Sequence, residues 1–143
     1  MSSDLQWLLL RKSNSFLVKR VTEGPVFSRE AGNLTNLHSH KFSGLANAKT
    51  VDIAPSAAGV SITTRKKSAS PYVVKKAYVH TSIRARSGDR RAAGVTAKIV
   101  AKKGYRPDLR TAALARTSAI LASYKEKKVA PPKKVRGGKA TTA

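Results

Sequence analysis

The sequence has no cysteine and few acidic side chains. Without cysteine the chain can form neither disulfides nor thiolate metal sites, and it offers no thiolate nucleophile. Its seven carboxylates show no helical or alternate-strand spacing that would pair two of them for acid–base work. The sequence therefore predicts that the protein is not an enzyme and needs no cofactor or small-molecule substrate.

Long apolar runs are also missing. The run from Trp7 to Leu10 is far shorter than the roughly 20 residues of a membrane span. The opening residues lack the basic start and long apolar stretch of a signal peptide. We expect an intracellular, soluble protein with no membrane partner.

What the chain has in excess is positive charge. Its 29 Lys and Arg against seven Asp and Glu give a formal net charge of +22, nearly all of it after residue 64. Self-repulsion of this size disfavours a compact state unless a polyanion neutralises it, and nucleic acid is the usual polyanion. We predict three parts: residues 1–83 as a small α+β RNA-binding domain, residues 84–125 as a basic helical region, and residues 126–143 as a basic flexible tail.

Periodicity and turn residues predict the secondary structure. We expect a first helix from Ser3 to Lys12, with a capping box of Ser3 and Gln6 and with Leu5, Leu8 and Leu9 on one face. We expect strands at residues 16–21 and 26–27, a long loop over residues 30–48, a hairpin of residues 50–54 and 59–64, and a strand over residues 72–83. Two helices should follow, from Asp89 to Lys103 and from Pro107 to Tyr124. The predicted class is α+β: a short N-terminal helix and a small antiparallel sheet, then two C-terminal helices and a disordered basic tail.

The second C-terminal helix has the clearest apolar pattern. Leu109, Ala113, Leu114, Ile120, Leu121 and Tyr124 fall within one arc of roughly 140°. Small residues, mainly alanine and serine, occupy the opposite side.

Two histidines could bind a metal, but the sequence favours another role. His38 and His40 could share a face of an extended segment, yet no carboxylate or cysteine lies nearby in sequence to complete a site. Loop imidazoles near phosphate are the better interpretation.

The basic clusters carry the functional prediction. A solvated protein surface normally mixes both signs of charge, whereas these clusters have no matching acids. No module that reads bases is present, so contacts should go mostly to phosphate and sugar. An exposed tyrosine beside such a cluster could also stack on an unpaired base. The candidate RNA-binding residues are Arg11, Lys12, Lys41, Arg65, Lys66, Arg84, Arg86, Arg90, Arg91, Lys102, Lys103, Tyr105, Arg106, Arg110 and Arg116.

Several motifs carry a resemblance to a known family. They are Leu5-Gln6-Trp7 with Arg11, residues 14–20 (Asn-Ser-Phe-Leu-Val-Lys-Arg), Asn33-Leu34, residues 42–45 (Phe-Ser-Gly-Leu), Lys49-Thr50-Val51 with Pro55, residues 105–110 (Tyr-Arg-Pro-Asp-Leu-Arg), and Ala112-Ala113, Arg116 and residues 118–121 (Ser-Ala-Ile-Leu). Residues 1–125 resemble the family of the eukaryotic large-subunit ribosomal protein L twenty-eight, with the middle strands diverging. The resemblance implies a eukaryote-specific protein on the surface of the large subunit that contacts ribosomal RNA and neighbouring ribosomal proteins. It also implies a sheet-bearing N-terminal part and C-terminal helices.

The sequence thus predicts a structural ribosomal RNA-binding protein of the cytoplasmic ribosome, passing through the nucleolus during assembly. Two alternatives stay open. One is a chromatin or DNA-binding basic protein, which the Lys/Ala/Pro tail favours. The other is a nucleolar ribosome-assembly factor, whose N-terminal half is similar but whose long acidic region this chain lacks. An RNA-processing enzyme would instead require turnover that depends on His38 or His40.

Overall fold

A computed structural model describes residues 2–70, 72–102, 104–126 and 129–130. The elements are, in chain order, helix α1 (Ser3–Leu10), strands β1 (Leu17–Val18), β2 (Phe27–Ser28), β3 (Val51–Ser56), β4 (Gly59–Arg65) and β5 (Tyr78–Arg84), a 3-10 turn (Ala85–Ser87), helix α2 (Asp89–Ala97), a π turn (Lys98–Lys102), a 3-10 turn (Pro107–Leu109) and helix α3 (Arg110–Ser123). The predicted α+β class is confirmed, with two small antiparallel sheets rather than one. The predicted tail lies outside the described residues except at positions 126, 129 and 130.

The predicted hairpin supplies two of the three strands of the larger sheet, and its second strand is the central one. Strands β3, β4 and β5 pair antiparallel in that order, and a two-residue turn joins the first two. Alternation along the hairpin puts one side chain in two toward the core, so that Val51, Ile53, Val60 and Ile62 are at most 1% exposed. At Gly59 (φ +141°) a Cβ would overlap the backbone at the end of β5, so this turn requires glycine.

Two strands are shorter than the sequence predicts. Strand β1 covers Leu17–Val18 within the predicted residues 16–21, because its partner β2 consists of Phe27 and Ser28 and pairs with these two residues. Strand β5 begins at Tyr78 rather than at residue 72, because β4 ends at Arg65, directly opposite Tyr78. A strand cannot extend beyond the partner that supplies its hydrogen bonds.

Helix α1 differs from the prediction at both ends. Ser2, not Ser3, is the N-cap: its hydroxyl accepts a hydrogen bond of 3.3 Å from the Asp4 N–H, so the predicted capping box is wrong. The helix ends at Leu10, before Lys12. The leucines predicted to share a face are all exposed, by 50%, 58% and 67% for Leu5, Leu8 and Leu9.

The C-terminal helices cover the larger sheet. The predicted helix from Asp89 to Lys103 is α-helical only to Ala97, and the wider π turn that follows buries Val100 completely while Ile99 packs beside it. Of the predicted apolar arc, Leu109 in the 3-10 turn and Ala113 and Leu121 in helix α3 are buried, whereas Tyr124 is 44% exposed.

Helix α3 also buries a threonine that the sequence pattern missed. The hydroxyls of Thr96 on α2 and Thr117 on α3 lie 3.2 Å apart, and each is also 2.9 Å from the carbonyl oxygen four residues earlier. This pairing satisfies both polar groups in a contact from which water is excluded.

One apolar core joins the sheet to both helices. Its buried members come from β3, β4 and β5 and from α2, the π turn and α3, with Leu34 added from the long loop. The core therefore spans the boundary predicted between residues 83 and 84, and that division of the chain stays a prediction. The predicted loop over residues 30–48 contains only one isolated bridge, Phe27 to Leu37, and is otherwise irregular.

Candidate nucleic-acid interface

The long loop is held in place by a buried acidic residue. The carboxylate of Glu30 accepts hydrogen bonds from the Asn33 amide (3.1 Å) and from the Ser43 hydroxyl (3.0 Å), and all three residues are at most 5% exposed. The Asn33 amide also donates to the Leu37 carbonyl at 2.8 Å. One of the seven acids is thus committed to the fold and does not balance surface cations.

Arg116 fixes this loop to the sheet. Its Nε donates to the Ile53 carbonyl of β3 at 2.7 Å, and its Nη1 donates to the Leu34 carbonyl of the loop at 3.0 Å. A guanidinium is suited to this task because its donors form a rigid, planar fork. We therefore assign Arg116, a predicted RNA contact, an internal role as an anchor.

Arg106 plays a similar part on the other side of the loop. It donates to the carbonyls of Lys49 (3.0 Å) and Lys41 (2.9 Å) and forms a bidentate pair with Asp108 (2.9 and 2.7 Å). The hydrogen bonds that Arg106 donates to Asp108, together with its positive charge, hold the pKa of the Asp108 carboxyl below its usual value. The Arg106 side chain is only 15% exposed.

Tyr105, the predicted stacking residue, is half-buried. Its hydroxyl donates to the carbonyls at the two ends of the hairpin, Arg65 at 2.5 Å and Thr50 at 3.3 Å. Burial raises the pKa of this hydroxyl above its ordinary value. The motif at residues 105–110 therefore has a structural role, and a contact of Tyr105 with RNA stays a prediction.

Most of the other cations that the structure describes have no protein partner of opposite charge. In the described part of the chain, Arg106 and Lys125 are the lysine or arginine residues that form ion pairs, with Asp108 and Asp89 respectively. The predicted contacts outside the anchors are exposed or partly exposed, and they divide among several surfaces.

The first basic surface lies between α1 and β1. A cavity of about 660 Å³ is lined by Arg11, Lys12 and Lys19 around the Trp7 ring and His38. Lys19 was not among the predicted contacts, although it belongs to a basic pair in the sequence. Its position beside Arg11 follows from the turn between α1 and β1.

A second basic surface is the groove between α2 and α3. Lys98, Lys102 and Arg110 rim a cavity of about 460 Å³ whose floor is made of small residues. Lys98 was missed by the sequence prediction, and its spacing of four residues from Lys102 was the available signal. Because these lining residues are small, the sugar–phosphate backbone of a nucleic acid has room to approach the helices.

The third basic surface lies where β5 meets α2. Arg84, Arg86 and Arg91 line a cavity of about 450 Å³ together with Ser82 and Ser87. Arg90 is exposed in the first turn of the same helix.

The remaining predicted contacts are spread around the sheet ends. Lys41 is exposed, with its ammonium 5.5 Å from the centre of the Phe42 ring. Arg65 donates to the Ser70 carbonyl at 3.3 Å, and Lys66 is exposed beside it. Lys103 lies outside the described residues.

The two loop histidines pack against the tryptophan of α1. The Trp7 ring centre lies 4.7 Å from that of His38 and 5.6 Å from that of His40. His38 Nε2 is 2.9 Å from the Arg11 carbonyl, and His40 Nε2 is 3.7 Å from an Asp4 oxygen. Among the described residues, no group of three or more His, Asp or Glu residues is placed to hold a metal ion. These imidazoles dock α1 onto the loop.

None of the helices in the described ranges is both long and apolar enough to cross a bilayer.

Comparison with known proteins gives a consistent result. Residues 5–123 match the Ribosomal L28e protein family. The chain is 34% identical over 138 residues to the large ribosomal subunit protein eL28 of Dictyostelium discoideum, covering 95% of this chain and 98% of that protein. It is 36% identical over 129 residues to the protein of the same name from Schizosaccharomyces pombe, covering 89% of this chain and 96% of that protein. A third relative of that name, from Caenorhabditis elegans, is 37% identical over 71 residues, which is 50% of this chain and 56% of that protein.

Proposed function

The chain belongs to the ribosomal L28e protein family, and from this premise we propose that it is a structural constituent of the large ribosomal subunit that holds folded ribosomal RNA through phosphate contacts. Its work is done on the cytoplasmic ribosome in translation, after passage through the nucleolus during assembly. This role needs no catalytic group and no cofactor.

Two arginines stabilise the fold, whereas the cations of the three basic surfaces have no such role, and this difference supports the proposal. Arg106 and Arg116 donate hydrogen bonds to backbone carbonyls. By contrast, the cations of the three basic surfaces face solvent around cavities that no carboxylate lines. Clustered like charges destabilise the free protein, and RNA phosphates relieve that repulsion while releasing condensed counterions.

Helix α1 supports contact with a neighbouring ribosomal protein. Leu8 and Leu9 stand 58% and 67% exposed on a helix whose other side is docked through Trp7. Exposed leucines of this kind are more often covered by protein than by phosphate.

Salt dependence tests the RNA contacts. The purified full chain should bind a folded large-subunit RNA fragment with an affinity that falls steeply with potassium chloride. For six to ten phosphate contacts the loss between low and moderate salt is on the order of 10³–10⁵. An affinity indifferent to salt would refute the proposed mode of binding.

Fractionation tests the assembly. A tagged full chain should sediment with mature cytoplasmic large subunits at physiological salt. If it sedimented only with nucleolar precursors, the chain would be an assembly factor instead. If it bound duplex DNA more tightly than ribosomal RNA at one salt concentration, the chromatin alternative would replace the proposal.

A further inference from the structure

The face of the larger sheet that points away from the helices is exposed along β5 and half-buried along β4. The helices cover the face that carries Ile62 and Ile83. Because side chains alternate along a strand, Tyr78, His80 and Ser82 of β5 lie on the opposite face, each paired with a residue of β4. All three are exposed.

The chemistry of this outer face is unlike that of an ordinary solvated sheet. Tyr78 is paired with Arg65, and His80 is paired with Thr63, whose hydroxyl lies 3.0 Å from His80 Nδ1. Neither β4 nor β5 contains a carboxylate; the acid on this face is Asp52 of the neighbouring strand β3, which is paired with Thr63 of β4. Two strands thus present an aromatic ring, an imidazole, hydroxyls and cations with no acid between them.

Tyr78 is also unlike the other tyrosines that stand near the sheet. The hydroxyls of Tyr105 and Tyr124 donate to main-chain carbonyls, Tyr124 to Ser56 at 2.8 Å. Within the described residues, the Tyr78 hydroxyl has no such partner, and the residue is 36% exposed. The fold therefore does not use its hydroxyl, and the exposed third of the residue can contact a ligand.

The arginine cavity lies at the C-terminal end of the same strand. Within the described residues, the side chains of Arg84, Arg86 and Arg91 form no hydrogen bond or ion pair with the rest of the protein. The nearest acid in sequence, Asp89, is already paired with Lys125. Three guanidiniums around one cavity repel one another, and a phosphate accepts paired hydrogen bonds from this group better than any neutral ligand.

We propose that the outer face of β4 and β5 and the arginine cavity together form a site for an unpaired segment of RNA. A phosphate lies among Arg84, Arg86 and Arg91, and a base stacks on Tyr78. Tyr78 and Arg84 are six residues apart along β5, about 20 Å, which is longer than one nucleotide spans. The segment must be unpaired, because the bases of an RNA duplex do not expose their faces to a side chain.

This proposal rests on the RNA-binding function proposed above and specifies the kind of RNA. The test uses the purified full chain and fluorescence anisotropy with two labelled probes: a short single-stranded oligoribonucleotide and an RNA duplex with the same number of phosphates. Tyr78→Leu removes the ring and keeps an apolar side chain, whereas Tyr78→Phe keeps the ring. Phe16→Leu is the matched control, since Phe16 is 43% exposed and lies just before β1 of the smaller sheet.

We expect Tyr78→Leu to weaken binding of the single-stranded probe about tenfold, as loss of a base–aromatic stack does. Binding of the duplex should not change. Tyr78→Phe and Phe16→Leu should bind both probes like the wild type. Equal binding of the single-stranded probe by Tyr78→Leu and wild type would overturn the stacking contact, provided that thermal melting shows both to be folded.

The phosphate contact has a separate test. The double variant Arg84→Gln, Arg91→Gln should lower the slope of log affinity against log salt for the single-stranded probe by about 1–2 units. Arg20→Gln, at an exposed arginine of the smaller-sheet region, should leave that slope unchanged. An unchanged slope in the double variant would overturn the cavity as a phosphate site. If the wild type bound neither probe, the RNA-binding function itself would fail, which is a different result.

Discussion

Replacing Arg116 by lysine should destabilise the fold while leaving the net charge unchanged. The guanidinium makes two strong hydrogen bonds, to the Ile53 and Leu34 carbonyls at 2.7 and 3.0 Å. Each bond from a charged donor contributes about 1.5–3 kcal/mol. A lysine ammonium is a single point donor that can keep one of the two, so we expect a loss of about 1.5–3 kcal/mol.

Thermal and urea unfolding followed by circular dichroism measures this loss. For a chain of this size the melting temperature should fall by roughly 5–12 °C. Arg110→Lys is the matched control on the same helix, because Arg110 is exposed, and its effect should stay within about 0.5 kcal/mol. If Arg116→Lys melted with Arg110→Lys and the wild type, the anchoring role of Arg116 would be wrong.

Three further predictions concern stability. Gly44→Ala should lower the free energy of unfolding by about 2–3 kcal/mol or more in chemical denaturation, because the added Cβ would overlap the backbone at residues 31–32. Gly94→Ala, on the open side of α2, should raise it by about 1 kcal/mol. Tyr105→Phe should lower the free energy of unfolding by about 1–2 kcal/mol at neutral pH. Because the folded protein raises the pKa of this hydroxyl, ionising it opposes folding, and the wild type should lose stability as the pH rises past about 10. The variant should not show this loss. For Asp108 the folded pKa is lowered, so its contribution is present above the ordinary carboxyl pKa of about 4 and is lost on acidification; Asp108→Asn should flatten that acid limb, and an equally steep limb in the variant would contradict it.

The elements that depend on local pattern were predictable. Strands β3 and β4 follow from alternating β-branched residues around a turn, and α3 follows from Pro107 and the apolar arc behind it. Strand length was less predictable, because β5 is limited by the end of β4 and not by its own composition. The N-cap was missed because the spacing of Ser3 and Gln6 matches a capping box, whereas Ser2, an equally good capping residue, is the one that caps the helix.

The roles of individual cations could not be predicted from the sequence. Arg106 and Arg116 look like members of basic clusters, yet their partners are backbone carbonyls, and any residue type can supply a carbonyl. Charge alone cannot separate a cation that holds a loop from one that meets phosphate. Burial and hydrogen bonds make that distinction: Arg84, Arg86 and Arg91 line a cavity at the surface and do not hold the fold together.

The anchoring of the loop by Arg116 has a consequence for biosynthesis. The two carbonyls it joins lie 63 and 82 positions earlier in the chain. As the polypeptide emerges N-terminus first, the hairpin and the loop stay without this anchor until most of helix α3 has left the exit tunnel. Such distant closure makes folding slow and late. A nascent chain released before α3 emerges should thus be open to proteolysis across the region that Arg116 would have locked.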